Sequence, residues 1–346
     1  IYRCNDVLDH LEGREELPNY DKYRGEVLFM RSWWYFNLYR AFGGVPIAHK
    51  VVSPADAKTI RRCTDDEMYA LLTGDLAEAS KGAEKARVTD IAAWTLLAKV
   101  YLTFGKPGEA KTALEEAMKN PNYGLVNTTA DAFNVKNKFN KEIIFALYYN
   151  KANDTGHGYW YSTTKPEEAQ LTQPAPVFRA LYDARDNRLP LISEYTEDKK
   201  GTYLLNKWFD NRNDALKGNV VENDFPHLRY ADVVLMYAEA LAESGSSLGD
   251  ALVWLNKTRT RAGLDALRTE DIPSKGAFIE ALADERGREF ALEGHRWFDL
   301  VRLGLALDRF HEMGYKLDAH NLLFPIPQNQ IEIVNDKTIL WQNPGY

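Results

Sequence analysis

Cysteine is nearly absent from this chain: Cys4 and Cys63 are the only two in 346 residues. Two thiols without C-x-x-C spacing supply neither a disulfide framework nor a zinc site. No apolar run approaches the roughly 18 residues that would cross a bilayer, since the most apolar stretches, 143–149 and 233–237, stop short. A basic excess is missing too. Lys and Arg number 43 against 50 Asp and Glu, a net charge of −7, and the basic residues are scattered among acidic ones. That excludes the electrostatic footprint of a nucleic-acid binder. There is no G-x-S-x-G elbow, no G-x-x-x-x-G-K-[ST] loop and no G-x-G-x-x-G after a strand, so acyl transfer, phosphate and nucleotide chemistry have no visible home. The histidines show no H-x-x-x-H or H-E-x-x-H spacing, and neither a metal nor a cofactor is expected. No charged-then-apolar leader precedes Ile1, so the chain reads as trimmed, with any targeting segment lying in the missing part.

What remains is an ordinary globular composition, 45% hydrophobic, 27% charged and 12% aromatic, long enough for one large helical domain or two smaller ones. Apolar positions recur at three and four residues over 26–42, 65–80, 90–104, 108–119, 230–243, 249–261, 276–292 and 295–310, which predicts eight helices. Short breakers at 105–107, 244–247 and 293–294 join them in pairs, the pattern of antiparallel hairpins. Set on the tetratricopeptide pattern, Trp94, Leu97, Tyr101 and Ala110 fall in place, Ala98 replaces the glycine, and Pro121 lies one place from the closing proline. Small residues are needed at Ala98 and Ala110 because the two helices of a hairpin cross closely there. A weaker copy has Tyr237 and Ala238 on one helix and Ala251 and Leu255 on the next. Trp33 and Trp34 share a helix with Phe29, Phe36 and Phe42 and are read as core. The fold class is therefore mainly all-α: tetratricopeptide-like hairpins over 26–119 and 225–310, an irregular part over 120–224, and a closing segment, 311–346, packed on the scaffold. Within the irregular part a helix is expected at 177–184 and a short strand within 142–149.

Two constellations carry candidate chemistry. Glu285, Glu289 and Glu293 are spaced by four along one helix face, with His295 just beyond. Acid/base pairs or a metal site could be built from these groups. Arg286, Arg288, Arg296 and Arg302 stand at near-helical spacing, however, and the scaffold reading, a salt-bridged structural block, takes precedence. The second constellation is the run His157, Gly158, Tyr159, Trp160, Tyr161 in a loop of 150–176 too long to be a mere connector, preceded by Asn153 and Asp154. Consecutive rings cannot all enter one core. A planar ring offers the C–H face of a sugar an apolar platform, while Asn, Asp and His bond its hydroxyls. The alternative is that one or two rings merely anchor the loop. Tyr203 and Trp208 form a weaker candidate of the same kind.

An ordered set of segments resembles the SusD/RagB family of outer-membrane nutrient-binding lipoproteins of Bacteroidetes. It comprises Arg3-Cys4-Asn5, read as the end of an early helix, residues 31–39 with 42–46, Asp75-Leu76, residues 142–145, Asp186 with Arg188, and residues 229–240. Asn256, Arg259 and 261–263, the 285–299 block, residues 325–327 and the ending 342–346 complete it. The resemblance implies a single family domain without catalysis. It would bind oligosaccharides or polysaccharide fragments at the extracellular face of the outer membrane and deliver them to a SusC-like TonB-dependent transporter; peptide capture of the RagB kind is the alternative. Nucleic acid is no partner. The membrane would be reached only through an N-terminal lipid anchor absent from this chain, for Cys4 lacks the small-residue context of a lipidation site. A glycan hydrolase with paired carboxylates and an intracellular tetratricopeptide adaptor are the readings from other classes.

Overall fold

The computed structural model describes residues 1–82, 88–149, 176–195, 203–204, 207 and 222–346. The chain forms two compact units, one of residues 1–119 with 300–346, the other of residues 120–299. Both are mainly helical, in accord with the all-α expectation.

The first unit is built on α1 (Tyr2–Leu11), α2 (Tyr20–Phe42), α3 (Asp65–Gly82), α4 (Asp90–Thr103) and α5 (Pro107–Met118). Helix α4 is hydrophobic on nearly every face, and Ile91 to Val100 are buried except for Trp94, the pattern of a helix wrapped by neighbours. Pro107 opens α5, where its missing N–H costs nothing. Ala98 and Ala110 are fully buried, as the hairpin crossing requires. A bidentate ion pair joins α2 to α3, Arg31 donating to both Asp75 oxygens at 2.8 Å. Arg62 ties the chain's end to this unit. Its guanidinium donates to the carbonyls of Gly44 (2.6 Å), Phe42 (3.0 Å) and Trp341 (2.8 Å) and to Asn343 Oδ1 (2.8 Å).

The second unit contains β1 (Ile143–Leu147), β2 (Glu194–Tyr195), β3 (Tyr203–Leu204), β4 (Phe225–Arg229), α6 (Tyr230–Glu243), α7 (Leu248–Arg261) and α8 (Lys275–Glu289). Strands β1 and β4 pair antiparallel from Ile143 opposite Arg229 to Leu147 opposite Phe225, with a register irregularity at Phe145. Ile144, Ala146 and Leu228 point into the core. Ser247 and Ser274 cap α7 and α8, each accepting the backbone N–H three residues on. Ala238, Ala251 and Leu255 are fully buried at the α6–α7 crossing, and Tyr237 meets Trp254 edge-on at 4.7 Å.

Four expectations change. The helix read over 295–310 is two, α9 (Arg296–Arg302) and α10 (Ala306–Glu312). Gly304, at φ +73°, ends the first, with the Leu305 N–H returning to the Leu300 carbonyl at 2.9 Å. The stretch 177–184 is helical only over Pro176–Arg179, and a second short helix, Leu189–Ser193, follows. Helix α1 runs on to Leu11 instead of ending near Asn5. Trp34 is no core residue: it is 51% exposed while Phe29 and Phe36 are wholly buried. At about 100° per residue it stands about 140° round the helix from Phe29. Trp33 does pack inward, its ring stacked on Phe29 at 6.4 Å.

The crossing of residues 43–46 with 62–63 leaves no room for a side chain at Gly44, where an added Cβ would lie 2.2 Å from the Cys63 carbonyl oxygen. Backbone, not a flexible side-chain tip, would have to move. Gly44→Ala is expected to cost about 1–3 kcal/mol, read as a lower midpoint in urea unfolding, and an unchanged midpoint would refute the close approach.

Candidate functional site

The acidic block is where the second unit is most densely charged. Along α8 and the turn after it, Glu285, Glu289 and Glu293 lie on one face as the spacing predicts, and all three are buried. Each meets cations. Arg229 donates to Glu289 Oε1 at 3.0 Å, to Glu293 at 2.7 and 2.9 Å, and to Glu142 at 2.6 Å. Arg261 reaches Glu142 at 2.7 Å and Glu289 at 2.5 Å. Arg188, itself held by Asp186 at 2.8 Å, reaches Glu285 at 2.7 Å and Glu289 at 3.0 Å. Lys207 donates to Glu293 at 2.6 Å and to the carbonyls of Glu289 and Ala291. The rings of Phe133 and Phe290 flank the Arg229 guanidinium at 5.3 and 4.8 Å.

Burial works to raise the Glu289 carboxyl, but the charges of Arg261, Arg229 and Arg188 outweigh it and hold the group well below the ordinary carboxylate range. Burial likewise opposes ionisation of Glu285, and Arg188 and Arg288 overcome it. A general acid must hold a proton near neutral pH; these carboxyls are held ionised and spent on arginines. The block is scaffold, as the sequence reading preferred, although its partners differ from those expected. Arg288 does pair with Glu285 at 3.2 Å, but Arg286 turns to Asp232 at 2.9 Å and Asp299 at 2.8 Å, and Arg296 to Asp284 at 3.8 Å. His295 stacks on Phe290 at 4.6 Å. The principal cations, Arg188, Lys207, Arg229 and Arg261, are remote in sequence, and no local pattern points to them.

Of the sequence-derived binding residues, Asn153, Asp154, His157, Tyr159, Trp160, Tyr161 and Trp208 lie outside the described residues. Tyr203 falls in β3, its backbone opposite Tyr195. What the structure does describe is the rim from which the 150–175 segment departs. Phe139, just before β1, is 68% exposed and Tyr148, just after it, 44%. Their rings lie 4.6 Å apart at 30°. Lys138 donates to Asp224 and to the Tyr149 carbonyl, each at 2.7 Å, and the Tyr149 N–H donates to Asp224 at 3.0 Å. A small cleft beside Phe139 is lined by Asn134, Lys138, Asn140 and Asp224. Sequence reasoning missed this pair, whose only signal is an aromatic at each end of a strand. Among the described residues no helix is long and apolar enough to cross a membrane, and no group of three or more His, Cys, Asp or Glu could hold a metal.

Comparison with known proteins covers nearly the whole chain. Residues 187–322 match the profile of the SusD family, and residues 1–102 that of a family described as starch-binding associating with outer membrane. SusD-like protein P25 of Formosa agariphila is 22% identical over an alignment spanning 96% of this chain and 75% of that protein. A SusD superfamily structure from Parabacteroides distasonis is 25% identical with a TM-score of 0.85, covering all of this chain and 83% of its own. A structure described as a laminarin binding SusD-like protein is also 25% identical, with a TM-score of 0.80 over all of this chain and 84% of that one.

The charged block generates a pH test. Carboxyls held below their unfolded value of about 4.3 contribute stability that is fully present above that value and drains away as pH falls through the lower folded values. Acid titration followed by circular dichroism is therefore expected to leave the helical signal intact to about pH 4 and to lose it below. Glu289→Gln leaves three buried arginines short of a charge, and is expected to cost about 3–5 kcal/mol at pH 7 while flattening that acid transition. A neutral-pH stability equal to wild type would refute the network's role.

Proposed function

Since the chain belongs to the SusD family, we propose that it is a non-catalytic glycan-binding protein of the outer-membrane surface, delivering oligosaccharides to a SusC-like TonB-dependent transporter. The observation that carries this reading is the likeness, over the chain's full length, to a solved structure described as laminarin binding. The matching family description, starch-binding and associating with the outer membrane, supports both the ligand class and the address. The neutralised Glu285–Glu293 block supports binding over hydrolysis, because its carboxyls are engaged by arginines and lysine. In this reading the helical hairpins are a rigid frame and the irregular middle is the capture surface, as binding residues on loops of a rigid scaffold commonly are. Tyr159, Trp160 and Tyr161 would supply stacking faces, with Asn153, Asp154 and His157 bonding hydroxyls and Tyr203 and Trp208 adding a second edge.

Isothermal titration calorimetry of the purified chain against oligosaccharides of plant, host and microbial origin, with mixed peptides as controls, tests the reading. Heat with a sugar class and none with peptides is expected. Trp160→Ala is expected to weaken sugar binding roughly tenfold, as loss of a stacking ring at about 1 kcal/mol or more implies, with an unchanged melting temperature. Equal binding would remove Trp160 from the site; binding to peptides alone, or release of reducing sugar, would overturn the proposal.

A further inference from the structure

Phe139 carries a contradiction. It is not glycine, yet its backbone sits at φ +58°, a left-handed conformation that costs an L-residue with a bulky side chain on the order of 1–2 kcal/mol. The usual return for such strain would be burial, and an apolar cluster of Val126, Ala132 and Phe133 lies in the same unit. Instead the ring is 68% exposed. The conformation is also held firmly from both sides. Lys138 is pinned by Asp224 and the Tyr149 carbonyl. On the other side Asn140 donates to the carbonyls of Ala132 at 3.3 Å and Asn137 at 3.0 Å and accepts from the Glu142 N–H at 3.0 Å. Strain that the surroundings enforce without a packing return is the mark of a functional surface.

The geometry gives that surface a shape. At 4.6 Å and 30° the two rings lie against each other as a tilted pair, and their exposure leaves a joint apolar plate open to solvent. The adjoining cleft brings hydrogen-bonding groups to its edge, with Asn134, Lys138 and Asp224 set among Phe133, Val135 and Ile143. An apolar plate with hydrogen-bonding groups at its edge fits a pyranose ring, whose C–H face stacks while its hydroxyls bond sideways. Lysines outnumber acids beside the ring: within three residues of Phe139 the one carboxylate is Glu142, which is buried and engaged by Arg229 and Arg261. Lys136, Lys138 and Lys141 lie within three residues of Phe139 in a chain of net charge −7. Lys138 is neutralised by Asp224 at 2.7 Å, whereas Lys136 and Lys141 are exposed, and no carboxylate among the described residues pairs with either.

We propose that Phe139 and Tyr148 form a sugar-stacking subsite whose flanking lysines select an acidic glycan, one bearing uronate or sulfate. This rests on the glycan-binding reading and adds a ligand class and a place outside the 150–161 run. The test is calorimetry of the whole chain with oligogalacturonate and oligoalginate as acidic probes and laminarihexaose and maltohexaose as neutral ones, at low and high salt. Wild type is expected to bind an acidic probe, more weakly as salt rises. Phe139→Gly accepts the left-handed backbone without strain, and is expected to bind roughly three- to tenfold more weakly while its melting temperature holds or rises. Lys136→Gln with Lys141→Gln is expected to weaken binding and flatten the salt dependence. Phe139→Gly binding as tightly as wild type, or wild type binding the neutral probes alone, would overturn the subsite while leaving glycan binding standing. No heat from wild type with any oligosaccharide in this set or in the wider panel would remove both.

Discussion

Glu289 is the point on which the second unit turns. One buried carboxylate is shared among Arg188, Arg229 and Arg261, and each arginine arrives from a different part of the chain. Arg188 comes from the irregular middle, Arg229 from the end of β4, and Arg261 from the end of α7. A charge in the interior is tolerated only when it is paired and its remaining hydrogen-bonding capacity is filled. The requirement works in both directions: α8 cannot sit in place without the arginines, nor can they without it. Glu142 repeats the arrangement one step outward, receiving Arg229 and Arg261 while its other contact, the Val126 N–H at 2.9 Å, holds the segment before β1.

That constraint bears on the proposed binding surface. Glu142 immediately precedes β1 and Arg229 ends β4, so the two-stranded sheet is clamped at its base by the same ions that fix the helices. The far end of β1, with Tyr148 and Tyr149, is then presented at a defined place, and Asp224 closes the rim against Lys138. Such rigidity beneath the exposed Phe139 and Tyr148 rings suits the proposed binding role, because a ligand gains little from groups that must first be ordered. The same acidic residues that invite a catalytic interpretation are what make the scaffold stiff.

The hairpins were readable because their signal is local. Residues spaced by three and four pack on one face whatever lies beyond, and Ala98, Ala110, Ala238 and Ala251 mark the crossings because only small side chains fit there. Helix ends were less legible. Gly304 divides the expected last helix because a positive φ ended it, and a pattern of apolar spacing does not register a terminating glycine inside an otherwise continuous run. Trp34 was misjudged for a related reason: the aromatics grouped in that helix were read as core together, but its 3.6-residue turn spreads them round the axis and leaves Trp34 outside. The candidate loop at 153–161 rests on its chemistry alone, whereas the Phe139–Tyr148 pair depends on how the eight intervening residues, β1 among them, bring the two rings together.

The sequence by itself determined that the chain would be mainly helical, built of antiparallel hairpins, and that its ordered segments resemble the SusD/RagB family. Those properties are set by composition and by contacts between residues a few places apart. Tertiary structure alone decided which cations would meet Glu285, Glu289 and Glu293 and which ring would stand exposed under strain. The ion pairs depend on groups from distant segments meeting where there is little water and a charge must find a partner, and the exposed ring depends on the backbone conformation its neighbours hold at Phe139.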